Sequence, residues 1–512
     1  MKNGLIYFIS DFILILGFIL SIFRNFDKGK TITGKPAKPG RHLNFLICIL
    51  VFMLIGFLPV CSTLFTNIPG VTQVQPLEIS FLNNSIIVNS LGFVFKFLIT
   101  LSALVCTVLS YGFIKKLNHK TPKFITLFLS ALIGAYGITA ANDFISLFVS
   151  IEILSMAVYF LISCFNNTDV KCSRPIEAGI KYFIINETAS CFMLLGISYI
   201  YLCLGTINFA DISLIQLNKI LPVNPLLNIA EILLFLSLVF KIGAFPLYLW
   251  VMDVFKGSDY SAGVFISSVV KITAVLAIIK PILSLGYFGS VLNFALILSA
   301  VITLIIGNLL ALRIVKKEGP LKDFLGASTI ANIGYVFLGI SFLTVNSITS
   351  AIYYLIAYLI MNFALWGGFM LISRNFKKQS ECNENLSALK GISYISPFFG
   401  TVFSICIFSF AGLPPAIGFS AKFYLFVEIL RSGVWAVYPL IFAGLASIFA
   451  VYYYFKIIYI IFSKPQNMNI YKRKSVFDKF NAYTFVLSIC AILLIAGFFM
   501  SAPLIDTLKG IL

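Results

Sequence analysis

Long runs of apolar residues recur along almost the whole of this 512-residue chain. Hydrophobic residues make up 60% of it and charged residues only 11%, whereas about 25% of the residues of a soluble globular protein are charged. A helix that crosses the roughly 30 Å of bilayer hydrocarbon needs about 20 apolar residues. The chain is therefore predicted to be an all-α polytopic membrane protein.

About 14 such runs can be placed on the sequence, and each is predicted to be one transmembrane span. They are numbered here in chain order. The spans cover residues 5–23, 43–62, 86–113, 123–140, 143–165, 180–204, 229–250, 262–282, 288–312, 325–343, 350–373, 397–429, 437–462 and 483–503.

Lysine and arginine alternate across the connections between these spans. Most of the 37 basic residues fall in the odd-numbered connections, the longest of which is the loop 27–41. Basic loops mark the cytoplasmic face of a membrane protein, so both termini are predicted to lie on the other side. Only a few basic residues are assigned to even-numbered connections and termini: Lys2, Lys219, Lys280, Arg431 and Lys509.

Several classes of protein can be excluded. The net charge is +18, but no basic run carries a recognisable nucleic-acid-binding motif, so no nucleic-acid partner is expected. The ten cysteines form no CxxC pair and lack partner histidines, so no disulfide, zinc or iron–sulfur site is predicted. No glycine-rich phosphate loop or nucleophile elbow is present. The chain is expected to hold no cofactor, metal or redox group of its own.

Ionisable residues lie inside four of the apolar runs. Lys241, Lys271 and Lys422 lie in the seventh, eighth and twelfth spans, and Glu152 lies in the fifth. An ionisable group in hydrocarbon costs about 3 kcal/mol or more unless it is paired or hydrated, and it marks an ion or proton path by default. An amine without hydration gives up its proton more readily, whereas a nearby carboxylate makes it hold the proton. These residues predict a proton path in which Glu152 acts on Lys241.

Further ionisable residues lie within or beside spans. Glu187 in the sixth span needs a partner, either in a structural pair or as a member of the relay. Lys96, Lys181 and Lys456 lie nearer span ends, where a lysine can extend its amine to the membrane surface. Lys181 is kept as a possible member of the path, and Glu428 is expected at the membrane interface.

Proline interrupts two of the lysine-bearing spans. The seventh reads FKIGAFPLYLW, with Pro246 after Lys241, and the twelfth reads AGLPPAIGFSAKFYLF, with Pro414 and Pro415 before Lys422. Proline within a helix removes a backbone hydrogen bond and clashes with the preceding turn, so both spans are predicted to break near mid-membrane. Such breaks occur where the freed carbonyls face protein or a water-filled cavity. Buried water is therefore predicted in both places.

The two broken spans are five apart in chain order. Because five is odd, a repeated five-span unit must recur upside down in the bilayer, so spans 4–8 and 9–13 are predicted to be inverted repeats. The predicted domains are 1–122, which holds the first three spans and the basic loop, the first repeat at 123–282, the second repeat at 288–462, and 463–512, which holds a loop and the last span.

Five motifs carry a resemblance to a known family. They are ISLFVSIEILSMAVYFL, EAGIKYFIINETAS, FKIGAFPLYLWVMDVF, ASTIANIGYVFLGI and FSFAGLPPAIGFSAKFYLF. Together they resemble the antiporter-like membrane subunits of respiratory NADH:quinone oxidoreductase, complex I, and most of all its subunit N branch. The resemblance runs from about residue 85 to 465. It implies fourteen helices with inverted repeats and a proton channel driven by quinone reduction elsewhere in the complex.

The resemblance also implies site residues, partners and location. By motif position, the proton-path residues of the family fall on Glu152, Lys181, Lys241, Lys271 and Lys422. FMN, iron–sulfur clusters, NADH and quinone are implied in partner subunits. The implied partners are the other membrane and peripheral subunits of complex I and membrane lipid, and the implied location is the bacterial cytoplasmic (inner) membrane.

The chain departs from the family at two positions that usually hold histidine. Tyr248 stands in PLYLW where the family reads PFHMW, and Asn332 stands where the family reads SIAHxGY. Histidine exchanges protons near neutral pH, whereas tyrosine titrates at about 10 and asparagine does not titrate. A relay at these positions is therefore expected to run through water held by the hydroxyl or the amide.

Three functions are compatible with these features. The first is a proton-translocating subunit of complex I, in which protons pass by Lys241 or Lys271 to Lys422 and leave on the far side. The second is a subunit of a multisubunit Na⁺/H⁺ antiporter or of a membrane-bound hydrogenase, which would share the broken, lysine-bearing helices. The third is a structural membrane subunit whose channel has lapsed, which would have a dry interior.

Overall fold

The computed structural model describes residues 9–26, 39–57, 79–81, 84–164, 175–217, 225–285, 290–376, 385–464 and 481–510. Most of the predicted basic loop, 27–38, lies outside the described residues, as do Lys2 and Lys219. The described residues are almost entirely helical. A two-stranded antiparallel hairpin, β1 (Ile79–Phe81) and β2 (Ile86–Val88), is an addition to the all-α prediction.

Nineteen helices are named here. The first ten are α1 (Ile9–Phe26), α2 (Pro39–Gly56), α3 (Ser90–Ile114), α4 (Thr121–Ala140), α5 (Phe144–Ser163), α6 (Pro175–Leu204), α7 (Phe209–Leu217), α8 (Pro225–Ile242), α9 (Leu249–Gly257) and α10 (Tyr260–Leu285). The others are α11 (Ser290–Lys316), α12 (Leu321–Ser341), α13 (Val345–Phe376), α14 (Ile392–Ile395), α15 (Pro397–Ala411), α16 (Ile417–Arg431), α17 (Val437–Phe462), α18 (Ala482–Phe499) and α19 (Ser501–Lys509).

The predicted spans coincide with helices along the described chain. Eleven helices in the described ranges are long and apolar enough to cross a membrane. Three shorter apolar helices, Ile9–Phe23, His42–Ile55 and Pro397–Ala411, fall on the first, second and twelfth predicted spans. The chain is therefore a multi-pass helical membrane protein, while the number of fourteen crossings stays a prediction.

The helices group into two compact units. Unit 1 comprises Met1–Asn167, Arg174–Leu238 and Gly257–Gly286, and unit 2 comprises Thr168–Ser173, Val239–Lys256 and Tyr287–Leu512. The end of α8 and nearly all of α9 thus belong to unit 2. The predicted division into four domains stays a prediction.

Unit 1 is built around α10, whose membrane-spanning window is completely buried. Glycines let α4 and α5 approach each other closely. A Cβ atom on Gly134 would lie 2.5 Å from the backbone nitrogen of Leu154, and one on Gly137 would collide with the Ser150 side chain. Small residues at such crossings are the usual means of packing membrane helices, because they bring the two backbones into contact.

Polar caps fix the start of two helices in unit 1. Asn89 Oδ1 accepts a hydrogen bond of 2.8 Å from the backbone nitrogen of Gly92 at the start of α3. Asp143 and Ser146 form a capping box at the start of α5. These side chains accept hydrogen bonds from backbone nitrogens that have no partner within the helix, and so define the residues at which the two helices start.

Unit 2 is built around α12, which is also completely buried. It packs against α11 with the same device of small residues. A Cβ atom on Gly307 of α11 would lie 2.4 Å from the backbone nitrogen of Ala331, and one on Gly334 of α12 would lie 2.9 Å from the Leu304 side chain. The central helices of both units are therefore enclosed by protein, which is where a membrane protein can keep polar groups.

The expectation that Lys96 extends to the membrane surface is wrong. Its buried amine forms an ion pair of 2.7 Å with Asp11 of α1. The amine also lies 5.4 Å from the ring centroid of Tyr136, whose hydroxyl is 2.6 Å from Thr100 Oγ1. Desolvation makes a lone lysine costly here, so the partner 85 residues away in the chain explains its position.

Lys280 was counted with the even-numbered connections, although the eighth predicted span, 262–282, includes it. It lies within α10, is buried, and donates hydrogen bonds to the backbone oxygens of Thr139 (2.7 Å) and Ala141 (2.6 Å). These carbonyls lie at the C-terminal end of α4, where helical carbonyls lack intrahelical donors and carry partial negative charge. The lysine therefore ties the end of α4 to α10.

Replacing Lys96 with methionine should destabilise unit 1. The change leaves the Asp11 carboxylate without its cation, and removal of one partner from a buried pair costs about 3 kcal/mol. The midpoint of thermal denaturation in detergent should fall clearly for Lys96→Met and should recover in the double variant Asp11→Asn/Lys96→Met. Equal midpoints for the single and double variants would contradict a stabilising ion pair.

Candidate functional site

The seventh predicted span is broken after Lys241, as predicted. Helix α8 ends at Ile242, Gly243 has a φ of 75°, the Phe245–Pro246 peptide is cis, and α9 begins at Leu249. Within unit 2, the backbone nitrogen of Phe245 donates to Thr303 Oγ1 at 2.8 Å, so a side chain of α11 satisfies part of the freed backbone. Lys241 is 6% exposed at the end of the first half-helix.

The twelfth predicted span is broken in the same way. Helix α15 ends at Ala411, Gly412 has a φ of 76°, the Pro414–Pro415 peptide is cis, and α16 begins at Ile417. In each span a left-handed glycine precedes a cis proline by three residues. The two breaks thus share one local backbone design, G-x-x-P, in sequences that otherwise differ.

Lys422 turns back from α16 toward the end of α15. Its Nζ donates to the backbone oxygens of Phe410 (3.3 Å) and Ala411 (3.4 Å), and it lies 5.1 Å from the ring centroid of Tyr335. The lysine is 6% exposed. Because α15 stops at the break, these carbonyls have no helical donors and are free to receive an ammonium. The break therefore supplies the acceptors that keep this amine inside the protein.

Gly412 leaves the space that Lys422 occupies. A Cβ atom on this glycine would lie 2.9 Å from both Cδ and Nζ of Lys422. The positive φ also disfavours any residue with a side chain. The position of the amine thus depends on a glycine ten residues earlier in the chain.

Asn332 lies in a buried polar cluster of unit 2. Its Oδ1 accepts a hydrogen bond of 3.0 Å from the Tyr354 hydroxyl, and its Nδ2 donates to the Ser328 backbone oxygen at 2.7 Å and to the Tyr454 hydroxyl at 3.4 Å. The Tyr454 hydroxyl is also 2.7 Å from Ser328 Oγ. The amide that replaces the family histidine is therefore surrounded by hydroxyls that both donate and accept.

Tyrosine rings connect this cluster to the lysine. Tyr335, which lies beside the Lys422 amine, packs 5.5 Å from Tyr354 between ring centroids, and Phe410 stacks on Tyr454 at 5.2 Å. The tyrosine cluster is defined here as five buried residues of α12, α13 and α17: Tyr335, Tyr354, Tyr358, Tyr453 and Tyr454.

Glu152 and Glu187 lie on the neighbouring helices α5 and α6 of unit 1. Glu152 Oε1 accepts a hydrogen bond from Ser190 Oγ, and Glu187 Oε1 accepts one of 3.2 Å from the Tyr159 hydroxyl. Tyr159 in turn accepts a hydrogen bond from Asn186 Nδ2. The two carboxylates are thus linked to hydroxyl donors on each other's helix, and the expectation that Glu187 pairs with a lysine or joins the relay stays a prediction.

Lys271 lies at the centre of unit 1 and is 1% exposed. It follows a π-helical stretch, Ile266–Val270, in the middle of α10. Inside that stretch, Ser268 Oγ lies 3.2 Å from Cys106 Sγ of α3. A π-helical turn widens the helix and changes the directions in which its side chains point. Such turns frequently occur at functional sites.

The remaining predicted site residues are more exposed. Lys181 lies on the outer surface of α6 and pairs at 2.9 Å with Glu177, one turn earlier. Tyr248 is half-buried in the loop between the two halves of the broken seventh span. Glu152 belongs to unit 1 and Lys241 to unit 2, so the predicted effect of one on the other stays a prediction.

Several polar residues of these units were not found from the sequence. The tyrosine cluster is one, because tyrosines in apolar runs were not distinguished from packing residues. Glu231, a buried carboxylate early in α8, is another. Its position inside the seventh apolar run was a usable signal, since a carboxylate in such a run is costly unless it has a role.

Replacing Gly412 with alanine should displace the Lys422 amine. The new Cβ would collide with the lysine, and a non-glycine residue at this φ costs about 1–2 kcal/mol. We expect a lower denaturation midpoint in detergent together with weaker proton transport. Gly444→Ala in α17, where no atom lies within 4 Å of the new Cβ, is the matched control. Equal behaviour of the two variants would contradict the dependence of the lysine on Gly412.

Known proteins are similar to this chain in sequence and in fold. The family model described as "NADH:quinone oxidoreductase/Mrp antiporter, TM" matches residues 141–450. The NADH-quinone oxidoreductase subunit N of Flavobacterium johnsoniae is 30% identical over 434 residues, which cover 83% of this chain and 88% of the relative.

Solved structures have the same fold at lower identity. A chain of respiratory complex I from Thermus thermophilus superposes with a TM-score of 0.74 and 22% identity, covering 98% of this chain and 99% of that one. A chain of the Mrp complex from Dietzia sp. superposes with a TM-score of 0.78 and 17% identity, covering 99% and 96%. The sequence match over more than half of its length shows that the chain belongs to the NADH:quinone oxidoreductase/Mrp antiporter transmembrane family.

Proposed function

We propose that this chain is a proton-translocating membrane subunit of an NADH:quinone oxidoreductase. The observation that carries the proposal is the Lys422 amine, held inside a broken helix by the carbonyls of Phe410 and Ala411. An amine in this position can hold a proton in the membrane interior and exchange it with water at the break. Two relatives that match over most of the chain are named as NADH-quinone oxidoreductase subunit N, which supports the same function.

The proposed path runs from the cytoplasmic side past Lys241 or Lys271 to Lys422 and then to the far side. Glu152 sets the protonation of Lys241: when the carboxylate is near, the amine holds its proton, and when it moves away the amine releases it. Glu187 and Lys181 extend the carboxylate end of the path, and Tyr248 orders water at the first break. Quinone reduction elsewhere in the complex drives the cycle.

The polar cluster around Asn332 takes the place of the histidine in the proposed relay. Asparagine cannot carry a proton, but the hydroxyls of Tyr454, Tyr354 and Ser328 surround its amide. Each hydroxyl can accept one proton while it donates another. A chain of hydroxyls and water can therefore pass a proton while every tyrosine stays neutral. This cluster argues against a dry, lapsed channel.

The proposed membrane arrangement follows from the basic connections and the two similar breaks. Fourteen spans cross the bacterial inner membrane, and both termini lie on the non-cytoplasmic side. Spans 4–8 (123–282) and 9–13 (288–462) are inverted repeats, flanked by the domains 1–122 and 463–512. The shared G-x-x-P geometry in the seventh and twelfth spans supports an origin from one repeated unit.

The proposed partners are the other membrane and peripheral subunits of the oxidoreductase, together with membrane lipid. FMN, iron–sulfur clusters, NADH and quinone belong to those partner subunits in this proposal. The described ranges contain no group of three or more His, Cys, Asp or Glu residues that could hold a metal ion. The contribution of this chain is to bind, hold and pass protons.

A sodium/proton antiporter subunit is the second candidate. The observation that favours it is the fold, since the Mrp complex chain superposes with a TM-score of 0.78. Its sequence identity is 17%, whereas the subunit N relative reaches 30% over most of the chain. Purification of the native complex separates the two, because only the oxidoreductase contains NADH-oxidising, flavin-bearing subunits.

Replacing Lys422 or Lys241 with methionine should lower proton pumping. Methionine keeps much of the side-chain volume but removes the group that carries the proton. In inverted membrane vesicles that contain the assembled complex, the protons taken up per NADH oxidised should fall. Lys456→Met is the control, because that lysine lies toward the end of α17 and donates at 3.5 Å to the Lys316 backbone oxygen.

Three outcomes would contradict the proposal in different ways. Unchanged pumping with normal assembly of both variants would remove the lysines from the path. An equal loss in Lys456→Met would indicate a general effect on the fold. Pumping that requires sodium and disappears when potassium replaces it would favour the antiporter.

Replacing Tyr454 with phenylalanine tests the hydroxyl relay. The change removes hydrogen bonds to Ser328 and Asn332 and should cost about 1 kcal/mol of stability. We expect the complex to assemble in the usual amount and to take up protons more slowly, measured in the same vesicles. Tyr438→Phe is the control, because that ring is exposed at the start of α17. Uptake as fast as that of the unchanged protein would exclude Tyr454 from the relay.

A further inference from the structure

Glu428 lies on the same half-helix as Lys422, six residues further along α16. The sequence placed this glutamate at the membrane interface, and that depth stays a prediction; the side chain itself is buried in the protein, with 5% exposure. Six residues of helix correspond to about 9 Å along the axis. A buried carboxylate therefore lies between the break that holds Lys422 and the C-terminal end of the half-helix.

Two cations contact one oxygen of this carboxylate. Arg431 Nη1 donates to Glu428 Oε1 at 3.1 Å, and Lys509 Nζ lies 3.6 Å from the same oxygen. Arg431 is one turn away on α16, whereas Lys509 is the last residue of the C-terminal helix α19. The carboxylate is thus held at one oxygen by its own helix and by the C-terminal end of the chain.

The second oxygen of Glu428 is different. Oε2 is buried and has no hydrogen-bond partner among the residues that the structure describes. A buried carboxylate oxygen that lacks a protein donor is expected to bind water, because leaving it dry costs about 1–3 kcal/mol or more. Oε2 is therefore the oxygen of this carboxylate that can take up a proton, since neither of the two cations nor any other described donor binds it.

The basic connections orient this site in the membrane. The connection before α15 is basic and predicted to be cytoplasmic, so the C-terminal end of α16 is predicted to face the other side. Lys422 would then lie near mid-membrane, and Glu428 would lie between it and the non-cytoplasmic surface.

We propose that Glu428 is the proton-release group of this subunit. This inference rests on the proposed function and assigns the exit of its path. The Lys422 ammonium gives its proton to water, the water chain delivers a proton to Glu428 Oε2, and the neutral acid then loses it to water at the outer surface. Arg431 and Lys509, which contact Oε1, stabilise the carboxylate that this last step leaves behind. Glu428 is a carboxylate again once it has released the proton, and Lys422 is an ammonium again when the next proton reaches it.

Substitution of Glu428 by glutamine or aspartate tests this role in the intact complex. Glutamine keeps the size of the side chain and an oxygen for Arg431 but cannot carry a proton, whereas aspartate keeps the acid and loses one methylene. Inverted vesicles report protons taken up per NADH oxidised. We expect Glu428→Gln to fall to the ratio of Lys422→Met, and Glu428→Asp to retain more pumping than Glu428→Gln.

If the role of Glu428 were only to hold α19 in place, the two variants would rank in the opposite order of pumping. If Glu428 only holds the C-terminal helix, the shortened aspartate breaks the contact and the glutamine preserves part of it. Pumping by Glu428→Gln that equals or exceeds that of Glu428→Asp would overturn the proposal. Asp506→Asn is the control, because Asp506 is exposed and lies on the same helix, α19, as Lys509; its pumping ratio should be unchanged.

The same experiment separates this inference from the proposed function. A loss in Lys422→Met with full pumping in Glu428→Gln would overturn Glu428 as the exit and leave the proton path in place. Full pumping in both would overturn both. If Glu428→Gln fails to assemble, Lys509→Met is the second variant. It keeps the Glu428 carboxylate and removes one of the two cations that stabilise its ionised form. We expect it to pump fewer protons per NADH, and an unchanged ratio would overturn the proposal.

Discussion

An ammonium group inside a bundle of apolar helices needs hydrogen-bond acceptors that an unbroken helix does not offer. In a regular helix each backbone carbonyl is already occupied by a donor four residues later. The break between Ala411 and Ile417 ends that pattern and frees the carbonyls that receive Lys422. Lys280 uses the same principle at the end of α4, where it binds the carbonyls of Thr139 and Ala141. Helix ends, rather than carboxylates, hold these two buried amines.

This way of holding a lysine differs from an ion pair in its consequences. Lys96 is bound to the carboxylate of Asp11, and its charge is balanced whether or not a proton arrives nearby. Carbonyl oxygens carry only partial charge, so they stabilise an ammonium without balancing it. A lysine held by carbonyls can therefore lose its proton at lower cost than one held by a carboxylate. The contrast separates Lys96 from Lys422 and Lys280, and the break in the span of Lys422, which α10 lacks, is what distinguishes Lys422 from Lys280.

The hydroxyls of unit 2 surround the position at which the family motif usually has a histidine. Histidine is absent at Asn332, but Tyr354 and Tyr454 meet at its amide and Ser328 completes the cluster. These tyrosines come from α13 and α17, which approach α12 only in the folded protein. The sequence shows that the histidine is replaced by Asn332, whereas the structure shows which hydroxyl groups surround that residue.

Local features of the chain were predictable and long-range contacts were not. The apolar runs marked the helices, and the prolines inside two of them marked both breaks, because hydropathy and the backbone constraint of proline are local properties. Asp11 and Lys96 are 85 residues apart, and Lys509 reaches Glu428 from the far end of the chain. Neither stretch of sequence identifies its partner, so Lys96 was expected at the surface and no cation partner was predicted for Glu428. Lys181 matches a family motif, yet it lies exposed beside Glu177.

The central claim is that broken helices hold lysine amines inside the protein beside water. A cryo-electron microscopy map of the native complex, at a resolution that shows ordered water, tests it most directly. The account predicts Lys422 Nζ within hydrogen-bond distance of the Phe410 and Ala411 carbonyls, with water on its open side. Density that places the amine against lipid, or that shows a dry and closed space around it, would contradict the account.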